Sequence, residues 1–185
     1  ALARETFQRK NLVLVPNCNW TGHEADLLVV TQDLRIIDVE IKISRADLKA
    51  DAKKAKWWKP YATRYCRETQ QFIRPADARE HPPKVWKHYF AVPAELWNND
   101  LLECLPSDAC GVITLWDSKN ESRYNGRYIA TVMRRAKPAR DAYRLSPAEA
   151  LDIARLASLR MWDAYDCRDQ AVREMREVIR KQKGE

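Results

Sequence analysis

Glycine is nearly missing from this chain, with four among 185 residues, and no stretch is rich in glycine, serine and proline together. With 45% hydrophobic and 32% charged residues, that scarcity sets the chain apart from linkers and disordered tails and places it among globular proteins. No apolar run approaches the roughly 20 residues that cross a bilayer, and the N-terminus has no signal-like pattern, so a cytoplasmic protein with no membrane partner is expected. The five cysteines, Cys18, Cys66, Cys104, Cys110 and Cys167, are odd in number and include no Cys-x-x-Cys pair. A disulfide framework is therefore not expected, and the spacings of His81, His88, Cys104 and Cys110 match no usual zinc motif. Helix-turn-helix and zinc-finger spacings are also lacking, so any nucleic-acid recognition is expected to read shape or backbone.

What the chain has in excess is positive charge. The formal net charge is +7 and the pI about 9.2, which favours a polyanionic partner without identifying it. The length suits one substantial core, read as residues 1–145, with a helical segment over 146–185 packed on it as part of the same domain.

Strand-like runs are expected at Leu12 to Pro16, Glu24 to Thr31, Ile36 to Ile43, Tyr89 to Val92, Val112 to Trp116 and Tyr128 to Met133. The polar Gln32 to Arg35 is short enough to close a hairpin, and Asn125-Gly126 is a turn signal before the last run. Ser44 reads as the N-cap of a helix that continues to Trp57 or Trp58 and stops at Pro60. Arg45, Lys49, Lys53, Lys54 and Lys56 would make that helix a basic surface for phosphates. Residues 60–87 are the least regular part, and Tyr61, Tyr65 or Trp86 there would either help contact nucleic acid or cap the core. Ser146-Pro147 with Glu149 is a capping box, opening a helix to about Lys181 with a break near 163–166. Its stripe of Leu151, Ala154, Leu156, Leu159 and Trp162 is expected to dock on the sheet.

Chemistry concentrates on the second and third strands. Successive strand residues face opposite sides, so Glu40 and Lys42 share one face while Val39, Ile41 and Ile43 share the other. The hairpin would bring Asp26 toward Glu40. Two carboxylates with the Ile41 carbonyl form an all-oxygen shell of the kind Mg²⁺ prefers. Such an ion polarises a phosphate and activates water, and Lys42 beside it would orient the nucleophile and stabilise developing charge. Glu24 lies two residues before Asp26 and would be an accessory ligand or a solvent-facing residue.

The segment Val15 to Val30, with its Asp26, followed by Val39-Glu40-Ile41-Lys42 and a helix carrying Ser44, Asp47 and Asp51, resembles the PD-(D/E)XK nuclease superfamily. Within it the chain is most similar to phage and bacterial proteins grouped with the MmcB-type DNA repair family. The similarity continues at Tyr89 to Pro93, Gly111 to Ile113, Arg135 to Lys137 and Ala154 to Trp162, and so covers most of the chain. Ala25 stands where the superfamily has its namesake proline. The resemblance implies an α/β restriction-endonuclease-like core with a mixed central sheet flanked by helices. It also implies a catalytic set of Asp26, Glu40 and Lys42, Mg²⁺ or Mn²⁺ as cofactor, and a nucleic-acid substrate, with Glu5 in the place of a glutamate that many members carry on an N-terminal helix. The expected activity is endonucleolytic hydrolysis of DNA in phage or bacterial DNA processing or repair, with a homodimer if both strands are cut. The alternatives are a catalytically inactive nucleic-acid-binding module on the same fold, or a protein whose basic face meets an acidic partner.

Overall fold

A computed structural model of the chain describes residues 2–7, 10–59, 64–66, 68, 70–73, 78–117 and 128–183. A π-helical turn at Ala3–Phe7 precedes strands β1 (Asn11–Cys18), β2 (Ala25–Thr31) and β3 (Ile36–Ile41). Helix α1 (Arg45–Asp51) and a 3₁₀ turn (Ala55–Trp57) follow, then the short strands β4 (Trp58–Lys59), β5 (Arg64–Cys66), β6 (Gln71–Ile73) and β7 (Ala78–Arg79). Strand β8 (Lys87–Pro93), two 3₁₀ turns, β9 (Gly111–Asp117), β10 (Tyr128–Arg134) and the long helix α2 (Pro147–Lys183) complete the order.

Six strands form one mixed sheet in the order β1-β2-β3-β8-β9-β10. β1, β2 and β3 are an antiparallel meander, β8 and β9 run parallel to β3, and β10 returns antiparallel at the far edge. This is the α/β architecture expected, and the order fits a restriction-endonuclease-like core. The β2–β3 hairpin is closed where the polar run predicts it. The Thr31 N–H donates to the Arg35 carbonyl at 2.9 Å, and the Arg35 N–H donates to Thr31 Oγ1 at 3.0 Å. The turn signal at Asn125-Gly126 lies outside the described residues, but the β9–β10 pairing it was expected to join is present.

Period-two alternation divides the core between the two faces of the sheet. Leu27, Val29, Val39, Tyr89, Ala91 and Ile113 pack on one face beneath Leu2 and Phe7 of the N-terminal turn. On the other, Phe90, Val92 and Val112 pack under Leu48 and Trp57, while Val15, Leu28, Val30 and Ile36 pack under Leu145 and Ile153. Between these two apolar patches, the middle of β3 is polar.

Two helices depart from expectation. α1 ends at Asp51 and not near Pro60, because Lys56 and Trp57 turn inward and are buried. α2 starts on its capping box, with Glu149 Oε2 accepting from the Ser146 N–H at 2.8 Å, and it continues without a break at 163–166. The residues that dock it are Ala150, Ile153 and Ala157, whereas Leu151 and Trp162 of the expected stripe are 70% and 59% exposed. Small residues flanking Ile153 let the helix approach β1 closely; the bulkier side chains are left facing outward.

Candidate active site

Glu40 and Lys42 occupy the same face of the β3 run, as the strand period requires, and the Lys42 ammonium donates to Glu40 Oε2 at 2.8 Å. The β2–β3 register pairs Leu28 with Asp38 and Leu27 with Val39, and ends one residue short of Asp26 and Glu40. The Asp26 carboxylate accepts the Ile41 N–H at 2.6 Å. Asp26 is half-buried and Ile41 is exposed, and both line a cavity of about 730 Å³ with Ile43, Pro93, Glu95 and Asp117. Pro93 and Asp117 end β8 and β9, so the cavity opens at the carboxyl ends of the parallel strands, where open α/β sheets bind ligands.

Behind this opening is a sealed cluster of charges. Asp38, Glu40, Asp51, Lys42, Lys56 and His88 are all buried. Lys56 Nζ lies 2.6 Å from Glu40 Oε1, 3.8 Å from Asp51 Oδ2 and 3.9 Å from Asp38 Oδ2. Lys42 also reaches Asp51 Oδ1 at 3.1 Å, and the half-exposed Lys54 covers the same oxygen at 2.6 Å. The Trp57 indole N–H donates to Asp51 Oδ2 at 3.2 Å, and the Trp57 ring stands edge-on to His88, 4.7 Å between centroids. His88 Nδ1 is 3.2 Å from Asp38 Oδ2, in ion-pair range though off the line of a good hydrogen bond.

Burial opposes charge on Lys42, Asp51 and Asp38, and their partners overcome it. Burial alone would lower the Lys42 ammonium, yet its bond to Glu40 and the charges of Glu40 and Asp51 raise it above the ordinary lysine range. Burial would raise the Asp51 carboxyl, but the Lys54 hydrogen bond, the Lys56 and Lys42 charges and the Trp57 N–H bring it down to about 2. Burial likewise works against ionised Asp38, and His88 followed by Lys56 holds it below the usual carboxylate range.

Of the expected phosphate-binding residues, Lys49 and Lys53 are exposed, Arg45 is partly exposed and Lys54 is tied to Asp51. Lys56 is a correction. Its side chain is 2% exposed and engaged by Glu40, so it cannot meet a phosphate where it lies. Glu24 precedes β2 and faces solvent. Glu5 falls on the N-terminal π-helical turn, and its side chain is outside the described residues. Tyr61 and the side chain of Tyr65 are also outside them, while Trp86 is half-buried against the core with Lys87 over its ring at 4.3 Å. Asp38 was not singled out by sequence, and His88 was weighed only as a zinc ligand. The period of two was enough to put Asp38 beside Glu40, but nothing local announces His88.

The donor chemistry of Asp26, Glu40 and the Ile41 carbonyl suits a hard divalent ion, since all three are oxygens on adjacent strands, but only Asp26 and Ile41 line the cavity and Glu40 is sealed behind it. Lys42 and Lys56 already neutralise both oxygens of Glu40, so an ion held there competes with two ammonium groups. Among the described residues, no group of three or more histidines, cysteines and carboxylates is arranged to hold a metal. None of their helices is long and apolar enough to cross a membrane.

No family model matches the chain, and no curated protein is significantly similar to it. Among solved structures, a "SPO1766 protein of unknown function" from Silicibacter pomeroyi aligns over 89% of this chain and 81% of its own, at 19% identity and a TM-score of 0.43. That likeness is too distant to bear on the chemistry.

Proposed function

We propose that this protein is a metal-dependent deoxyribonuclease of the PD-(D/E)XK kind, acting as an endonuclease. The observation that supports it is that the Asp26 carboxylate accepts the N–H of Ile41, the residue between Glu40 and Lys42, while Lys42 is bonded to Glu40 just behind the cavity. Asp26, Glu40 and the Ile41 carbonyl would hold Mg²⁺ or Mn²⁺, which when bound supplies Lewis-acid polarisation of the phosphodiester. Lys42 keeps its proton throughout the neutral range and holds a fixed positive charge beside Glu40, where charge develops during attack by water. The Ile41 N–H fixes the Asp26 carboxylate, so little reorganisation is needed when substrate arrives. Exposed Lys49 and Lys53, on and just after α1, would position the DNA backbone.

A second reading has its own support. Glu40 is already neutralised by Lys56 as well as Lys42, an arrangement that suits a binding module that has lost catalysis.

Cleavage of supercoiled, linear, single-stranded and branched DNA with Mg²⁺, Mn²⁺ or EDTA separates the two. Metal-dependent cutting that vanishes in Asp26→Asn and Lys42→Ala, with DNA affinity largely kept, is the expected result. Intact DNA throughout, despite salt-sensitive binding, would establish the binding module.

A further inference from the structure

From Ser158 to Gln182 every residue of α2 is exposed, and Arg160, bonded to the Asn17 carbonyl, makes the last hydrogen bond from the helix to the core among the described residues. Beyond it runs more than 30 Å of helix, at about 1.5 Å per residue. An isolated helix of this length is marginal in water, and helices in proteins are held mainly by packing an apolar face. This segment has such a face, and no described residue covers it. Met161, Tyr165, Val172, Met175 and Ile179 recur at alternating steps of three and four, with Arg168 at the one intervening seam position. Their exposures run from 39% at Val172 to 63% at Met175. That spacing is the seam of a two-stranded coiled coil.

We propose that the outer part of α2 is a dimerisation arm that pairs antiparallel with the same helix of a second copy. Charge selects both the partner and the direction. The first half of the arm carries Asp163, Asp166 and Asp169 against the single base Arg168; the second carries Arg173, Arg176, Arg180 and Lys181 against Glu174 and Glu177. A parallel pair would set like halves together, whereas an antiparallel pair sets each acidic half against a basic one. With Val172 packed on Met175 of the partner helix, Asp169 and Arg176 flank the seam and face each other across it, twice per dimer. Arg168 lies with its guanidinium 5.2 Å from the centre of the Tyr165 ring, so its stem can cover the seam while its head stays in water. The acids spread along the arm argue against DNA as the occupant, since a duplex-binding helix gains from uniform positive charge.

The test is sedimentation equilibrium of the full chain at concentrations up to about 100 µM. The wild type is expected at twice the 21.6 kDa monomer mass, and Val172→Asp with Met175→Asp at the monomer mass with the urea midpoint of the core unchanged. Asp169→Arg should weaken the dimer about tenfold, and adding Arg176→Asp should restore it. A wild type that stays monomeric over that range, whatever else it binds, overturns the proposal, as does a dimer indifferent to the paired aspartates. A dimer that Asp169→Arg leaves unweakened, or that Arg176→Asp fails to rescue, overturns the antiparallel arrangement. Pairing through the arm does not depend on the nuclease reading, and catalysis is not its readout.

Discussion

Lys56 Nζ lies 2.6 Å from Glu40 Oε1, with both side chains all but sealed from water. Removing one member of such a pair strands the other charge. Lys56→Met should therefore lower stability by about 3 kcal/mol in urea unfolding, near the low end of the usual range because Lys42 still compensates Glu40. If a divalent ion competes for Glu40, the same variant should bind Mn²⁺ more tightly by calorimetry. An unchanged urea midpoint would contradict the buried pair.

The exposed lysines make a contrasting prediction for DNA. Replacing Lys49 and Lys53 by alanine should reduce the slope of log affinity against log salt by about one for each phosphate no longer neutralised. Lys56→Met should leave that slope alone. A slope that responds to Lys56 and ignores Lys49 and Lys53 would place the DNA elsewhere.

Acid should unfold the protein partly through the buried carboxylates. Asp51 titrates at about 2 in the folded protein, below its ordinary value near 3.8, and Asp38 is also depressed. For a depressed carboxylate the stabilisation is present above the unfolded pKa and is lost as pH falls through the folded one. Stability should thus fall between roughly pH 5 and pH 2, with about 2 kcal/mol of that loss traceable to Asp51. Urea unfolding of Asp51→Asn across this range should show a shallower decline. Lys42 has the opposite sign: its raised pKa gives stability that is intact below the ordinary lysine value and is lost only in stronger alkali.

Gly111 opens β9 where a side chain has no room. A Cβ there would overlap the Tyr89 ring and the Ala136 backbone nitrogen, and Tyr89 is itself buried. Gly111→Ala should cost about 1 to 3 kcal/mol, measured as a lowered thermal midpoint. A melting temperature equal to the wild type's would show that Tyr89 can move aside.

The strands of the central sheet were legible because alternation is a local property. Asp26, Glu40 and Lys42 could be placed together from two apolar runs and a short polar turn. The rest of the charge cluster could not, since Asp51, Lys56 and His88 reach β3 from the crossover segment and from β8. Nothing near Lys56 in sequence says that it turns inward, and a lysine among lysines is ordinarily a surface residue. The face of α2 that docks was misjudged for a related reason. Large apolar residues suggested the contact, but Ala150 and Ala157 around Ile153 allow the close approach, and only the partner surface decides between the two faces.

The polar stretch at the centre of β3 has a consequence for how this protein can vary. Losing Asp38, Glu40, Asp51, Lys42 or Lys56 singly leaves its partners uncompensated, so the cluster resists piecemeal change. Exchanged together for apolar residues of matching volume, the same five positions would hold the sheet at least as well. The architecture therefore does not require these charges for its packing.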